Sequence, residues 1–359
     1  LGESRSDSRP GCLCVVFSLS LSEESRASMS KDLLLSGDAD TYHAPIAAVG
    51  DVGAAPAHAR VRGGLGEEIR VPWNGMELRV FVQGTPGNHA IVTVHDIGLN
   101  HRSCFAGFLG HPRAEGLLRI CCFYHIDLPG QSDGDVTLFT DRTYPTMTQL
   151  GDAVGAVVRH CSLTHFYAIG VGAGVNVLVR YLIQRRATDP DLRALLSISP
   201  ILSPPGWYEW AFEKYARLKI AMGPADRMPD WVIDANLDAY FGAATHNTDI
   251  STIARFRAMM AYSPSPGNYA ALLKAWMSRG NLLKMLKVKP VTVPTLTFYA
   301  GQSNRAAHVT EVAGSAGVFK GPQSEMLASW KGGDLVQEED AGSVLQAFCA
   351  MLQGFSVLV

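Results

Sequence analysis

Three glycines at alternate positions, Gly170, Gly172 and Gly174 in "YAIGVGAGVN", end one apolar run and open a helical stripe. A strand-to-helix turn of the form Gly-x-nucleophile-x-Gly lifts a serine above a sheet for acyl transfer. Here the glycines stand in register, but the nucleophile's place belongs to Gly172, which has no side chain. Val171, Ala173 and Val175 cannot attack a carbonyl, and Asn176 lies beyond the turn. That chemistry also needs an acid and then a histidine, in chain order after the nucleophile. The acid belongs after "TLTFYAG", where the loop "GQSNRAAH" offers Ser303 and Asn304. The histidine belongs after the final short strand, expected near "AGVFKGPQSEM", yet no histidine follows His308. All three places lack the required residue type.

Other polar residues gather at the ends of apolar runs. His95 and Asp96 end "HAIVTVHDIG", and His125 and Asp127 end "LRICCFYHIDLPG". Residues two apart on a strand share a face. His95, Asp96, Gly98 and Asp127 therefore mark a candidate pocket, and His95, Asp96 and Asp127 an unconventional acid–base set. The competing reading has these groups fix loops by local hydrogen bonds, with Asp127 capping a turn. The glycines follow G-x-G-x-G rather than G-x-G-x-x-G, which argues against a dinucleotide cradle. Seven cysteines, an odd number without a CxxC pair, indicate neither a disulfide framework nor a zinc site. No metal or other cofactor is expected, and a reducing, cytoplasmic setting is.

The elements that must hold these residues are legible in the periodicity. "EIRVPWNGMELRVFVQG" alternates about Asn74-Gly75, a hairpin signature. "HAIVTVHDIG", "LRICCFYHIDLPG", "HFYAIGVGAG", "LRALLSISP" and "PTLTFYAGQ" are continuous apolar runs, as buried parallel strands are. Between them lie helical stripes: Met147, Leu150, Val154, Val157 and Cys161 behind a Thr146-x-x-Gln149 capping box, then Val175, Leu178 and Leu182. Residues 205–286 carry only helical spacing. Strands alternating with helices imply a mostly parallel central sheet flanked by helices. With a helical cap inserted between core strands, this is the pattern of the α/β-hydrolase fold. The expected organisation is a core of residues 67–204 and 287–359, with residues 205–286 as cap. Residues 29–66 read as an extended arm. Residues 1–28 read as a leader or targeting segment, with Met29 in "MSKDLLL" as the true start.

The bulk composition suits a large-cored globular protein: 359 residues, 47% hydrophobic and 18% charged. Thirty-one basic against thirty-three acidic residues give no field to gather nucleic acid. No run approaches the length of about 18 apolar residues that a spanning helix needs. Trp207, Trp210 and Trp231 are candidate interface anchors, with the interior of the cap as their other reading.

"VHDIGLNHRSCF", "HIDLPGQSDGD", "YPTMTQLGD", "GVGAGVNVLVRY" and "GWYEWAFEK" together resemble the N-myc downstream-regulated (NDRG) family. The resemblance covers roughly residues 67–355, in order, and its most specific marks are the serine-free elbow and the "GW-x-x-WA" motif. It implies an α/β-hydrolase fold without enzymatic activity, in a regulatory or scaffolding protein that works through protein partners. Stress response, differentiation, signalling and membrane trafficking are the settings it implies, with peripheral association to a membrane or a large complex.

Overall fold

The hairpin forms as its turn residues require. In the computed structural model β1 (Glu67–Trp73) pairs antiparallel with β2 (Met76–Gln83), and Trp73 faces Met76 across the turn. Asn74 and Gly75 both take positive φ, 48° and 76°, as a two-residue turn matched to strand twist demands. The structure describes residues 66–357 apart from 187, 304, 307, 308, 311, 313–317, 323, 331 and 356. The expected leader (1–28) and residues 29–65 of the expected arm lie outside the described residues, as do Asn304 and His308.

After the hairpin come β3 (His89–Val94), α1 (His101–Gly110), the short α2 (Glu115–Ile120) and β4 (Cys121–Ile126). Next are α3 (Met147–His160), β5 (His165–Val171), α4 (Ala173–Gln184) and β6 (Asp191–Ile198). Between β6 and β7 the chain is helical: α5 (Trp207–Met222), α6 (Asp230–Tyr240), α7 (Ala243–Thr248), α8 (Ile250–Tyr262), α9 (Pro266–Met277) and α10 (Leu282–Val288). The chain then returns through β7 (Thr295–Ala300), β8 (Glu325–Ser329), α11 (Val336–Glu339) and α12 (Ala341–Gly354).

The eight strands form one sheet in the order β1-β2-β4-β3-β5-β6-β7-β8. β2 runs antiparallel to both neighbours, and every other pairing is parallel. Helices cover both faces of the central strands, which explains their unbroken apolar runs. β4 and β7 are buried at every residue, and β3 and β5 at every residue but the first.

α3 begins as its sequence dictates. The Gln149 side chain accepts from the Thr146 N–H at 2.9 Å, and the Thr146 hydroxyl accepts from the Gln149 N–H at 3.3 Å. Met147, Leu150, Val154 and Val157 are buried, while Cys161 at the C-cap is half-buried. α4 is buried from Ala173 to Leu182, so the expected stripe of Val175, Leu178 and Leu182 is part of a helix enclosed on all sides until its last two residues.

The final strand is displaced from its expected place. β8 covers Glu325–Ser329, overlapping only the end of "AGVFKGPQSEM". The loop that follows the last strand is therefore 330–335, and this shift matters for the site.

The inserted helices are tied down by buried polar groups. The buried Arg279 donates to both carboxylate oxygens of Glu209 at 2.9 and 2.8 Å and to the Ser203 carbonyl at 2.9 Å. Its guanidinium also lies 4.1 Å from the centroid of the Trp276 ring. Glu209 in turn accepts from the Gly206 N–H at 2.9 Å, closing the N-terminus of α5. Cys104, Cys121, Cys122, Cys161 and Cys349 are unpaired thiols. Among the described residues no helix is long and apolar enough to cross a membrane.

Candidate functional site

The elbow is built at the end of β5. Gly172 has φ 51° and ψ −109°, a conformation that L side chains rarely adopt, and its N–H donates to the Ile198 carbonyl at 2.9 Å. Gly170 and Gly174 allow the close approach that such a turn needs. A Cβ at Gly170 would stand 2.8 Å from the Val175 nitrogen, and one at Gly174 would overlap the Val94 carbonyl.

A Cβ at Gly172 would overlap the carboxylate of Asp96. Asp96 therefore fills the space into which a nucleophile's side chain would project. Its Oδ1 accepts from the Ala173 N–H and the Ile97 N–H, both at 2.8 Å. These are the N–H after the nucleophile position and an N–H of the loop behind β3, the two donors that form an oxyanion hole in this architecture. The other oxygen, Oδ2, accepts from Arg305 Nη1 at 2.8 Å.

Arg305 in turn reaches Asp334, with Nε 2.7 Å from Oδ2. Arg305 comes from the loop after β7, where a hydrolase places its acid. Asp334 comes from the loop after β8, where it places its histidine. A carboxylate–guanidinium–carboxylate chain thus links the loop after β3, beside the elbow, to the two loops that normally carry a triad's acid and histidine. Burial works against the charge on Arg305, but Asp334 and Asp96 more than offset it and hold its pKa above the ordinary value. Burial raises the Asp334 pKa to about 6, against the pull of Arg305.

The other expected site residues are committed elsewhere. The His95 ring meets the Asp96 carbonyl through Nδ1 at 2.7 Å, and its Nε2 accepts from the Leu128 N–H at 3.0 Å. Its pKa is lowered by burial, against the nearby Asp127. Asp127 accepts from the His101 N–H at 2.7 Å and meets His101 Nδ1 at 2.8 Å, whereas His95 Nε2 is 4.0 Å away. Burial pushes the Asp127 carboxyl up, but its bonds to His101 outweigh this and hold it below the usual range. His125 bonds Thr93 at 2.7 Å and stacks against Phe123, and burial lowers its pKa to about 3. The expected acid–base set of His95, Asp96 and Asp127 is therefore not assembled. Asp127 secures the first turn of α1, His95 bridges two loop backbones, and Asp96 closes the elbow.

A cavity of about 490 Å³ lies between the sheet and helices α5, α6 and α9. It is lined by Ile97, Trp207, Phe212, Tyr240, Arg305 and Asp334, among others. The expected pocket residues His95, Asp96, Gly98 and Asp127 are not part of its wall. They are buried next to it, and Gly98 packs so tightly that a Cβ would stand 2.9 Å from the Tyr269 ring.

The tryptophans also divide. Trp231 packs in the interior of the inserted helices, edge-on to Tyr215 with centroids 4.5 Å apart. Trp207 and Trp210 are exposed, at 69% and 51% of their surface.

Arg305 and Asp334 are the site residues that sequence reasoning missed. Both are charged residues in glycine-containing loops behind parallel strands, "GQSNR" and "WKGGD". Ligands and polar groups concentrate at the carboxyl ends of such strands, and that was the available signal. Ser303, which stands where the acid is expected, accepts from the Arg305 N–H at 3.2 Å and so helps to fix the arginine's loop.

Comparison with known proteins agrees with this geometry. The chain is similar to protein NDRG3 of Xenopus laevis, 31% identical over 217 residues, or 59% of this chain and 54% of that protein. It thus spans about half the length of that relative. It is also similar to human protein NDRG2, 24% identical over 297 residues, which covers 82% of this chain and 76% of NDRG2. Among solved structures, a thermophilic esterase from Thermogutta terrifontis superposes with a TM-score of 0.66 at 16% identity, covering 82% of this chain and 100% of the esterase. A hydrolase from Pseudomonas aeruginosa superposes with a TM-score of 0.64 at 15% identity, covering 80% of this chain and 99% of the hydrolase. Such low identities carry the fold alone, and that fold is the α/β-hydrolase fold. The Ndr family pattern matches residues 73–359, a span that contains the elbow and the loops after β7 and β8, and the chain belongs to that family.

Proposed function

We propose that this chain is a non-catalytic, α/β-hydrolase-like regulatory or scaffolding protein of the NDRG type. It acts through protein–protein interaction in signalling, stress response or trafficking. The observation that carries this reading is the Asp96 carboxylate seated on the Ala173 and Ile97 N–H groups beside a glycine elbow. In a hydrolase, those donors stabilise negative charge as it develops on the substrate. Here a resident anion uses them, and displacing it means separating Asp96 from Arg305 in a buried site, which is costly. The exposed Trp207 and Trp210 support recognition of a protein partner, because such aromatics anchor interfaces. The unpaired thiols support a reducing, cytoplasmic setting.

Two measurements test it. The purified chain is expected to resist fluorophosphonate labelling and to turn over no ester, amide or epoxide. Turnover that survives repurification and disappears in Asp96→Ala would sink the non-catalytic reading. Partner proteins identified with the wild-type chain are expected to be lost with Trp207→Ala/Trp210→Ala at unchanged melting temperature. Their full retention would remove these tryptophans as anchors. A second reading, a small-molecule receptor, is favoured by the cavity of about 490 Å³ beneath the inserted helices. Its size falls among ligand sites, which span about 300–1,000 Å³.

A further inference from the structure

We propose that the cavity beneath the inserted helices is selective for organic amines, taking an apolar body that carries one ammonium group and rejecting carboxylates. This rests on the receptor reading and gives that receptor a ligand class.

The floor of the cavity has an excess of negative charge. Asp96 and Asp334 share one guanidinium, Arg305, and Arg305 and Asp334 both line the cavity. Asp334 is 1% exposed; the Ser303 hydroxyl beside its carboxylate eases the charge, but no donor meets Oδ1 at hydrogen-bond geometry among the described residues. A buried acceptor without a donor is unfavourable, and a ligand N–H that reaches it relieves that cost. An ammonium does so best, because hydrogen bonds between charged groups are the strongest of their kind.

Several other polar groups of the wall are already matched. Asn236 and Tyr269 bond each other at 3.1 and 3.2 Å, the Tyr240 hydroxyl donates to the Ile97 carbonyl, and Glu209 holds Arg279. Much of what remains is aromatic: Trp207, Tyr208 and Phe212 present ring surface that accommodates an apolar body and attracts a cation, while the Trp276 ring already carries the Arg279 guanidinium. The oxyanion donors that would greet a carbonyl or carboxylate ligand are occupied by Asp96. The site that receives negative charge in a hydrolase has reversed polarity here.

The test is calorimetric titration of the full chain at about pH 8 with three probes of one shape: 4-phenylbutylamine, 4-phenylbutan-1-ol and 4-phenylbutanoate. The amine is expected to bind at least about ten-fold tighter than the alcohol, with the carboxylate weakest. Asp334→Asn should bring the amine down to the alcohol's affinity and leave the alcohol unchanged. If that variant does not fold, the wild-type chain at about pH 5 gives the same readout, since Asp334 titrates near 6 and the probe's amine stays charged. There the advantage of the amine over the alcohol should shrink. Equal affinity of amine and alcohol, or a preference for the carboxylate, overturns the ligand class and leaves the receptor reading standing. Failure of all three probes to bind overturns both.

Discussion

Gly172 and Asp96 compete for one volume, and this exclusion is the centre of the molecule at the residue scale. Restoring a serine at Gly172 meets two penalties. The backbone is held at φ 51°, a strain on the order of 1–3 kcal/mol for a non-glycine residue. The side chain must also push Asp96 off two N–H groups and its arginine. Gly172→Ser is therefore expected to destabilise the fold and to remain inert toward activated esters. Asp96→Ala removes the collision, so Gly172→Ser should cost less in that background, with a coupling of about 1–3 kcal/mol in a double-mutant cycle by urea denaturation. Additive effects of the two substitutions would show that the carboxylate is not what bars a side chain from the elbow.

At the scale of elements, α11 is fastened to α1 by a buried carboxylate that titrates near neutrality. Glu338 Oε1 accepts from the Phe108 N–H at 3.2 Å, and Arg255 of α8 lies 3.5 Å from Oε2. Burial raises its pKa to about 7 from an ordinary 4.5, against the pull of Arg255. A folded-state pKa above the unfolded one favours the native state fully below about pH 4.5, and the advantage is lost as pH climbs through 7. Glu338→Gln removes that dependence. The stability of wild type minus variant should therefore fall between about pH 4.5 and 7, read as a narrowing or reversal of the gap in melting temperature. A gap that stays constant across this window would mean that Glu338 does not carry the proton. Comparing the two proteins cancels titrations of opposite sign, such as that of the buried His125, whose pKa is lowered to about 3.

Across the whole molecule, the fold was legible because its signals are local and repetitive. The hairpin at Asn74-Gly75, the capping box at Thr146 and the apolar runs each report an element without reference to any other. The glycine elbow was legible for the same reason. The charge chain was not, because Asp96, Arg305 and Asp334 lie in three loops and their relation exists only after the sheet sets its strand order. The fate of Asp127 was half legible: a local capping role was read, but its partner His101 lies 26 residues away. The cavity wall was misplaced by one position at Ile97, since the side chains of Asp96 and Gly98 are absent from it for opposite reasons, one drawn inward and one missing.

The Asp96–Arg305 pair also has a consequence in time. Its partners are 209 residues apart, and Arg305 reaches position only when β7 and its following loop have joined the sheet. Contacts that close so long a loop form late, after more local pairings have committed the chain. Arg305→Lys, which cannot bridge two carboxylates with a rigid fork, should then leave the refolding rate near wild type and speed unfolding. Stopped-flow chevrons would show it, and a slowed refolding limb with unchanged unfolding would place the pair early instead. On this ordering the nascent chain passes through an interval in which the elbow exists but its anion is not yet locked in place. The closed centre is then expected to be completed late in folding and to open early in unfolding.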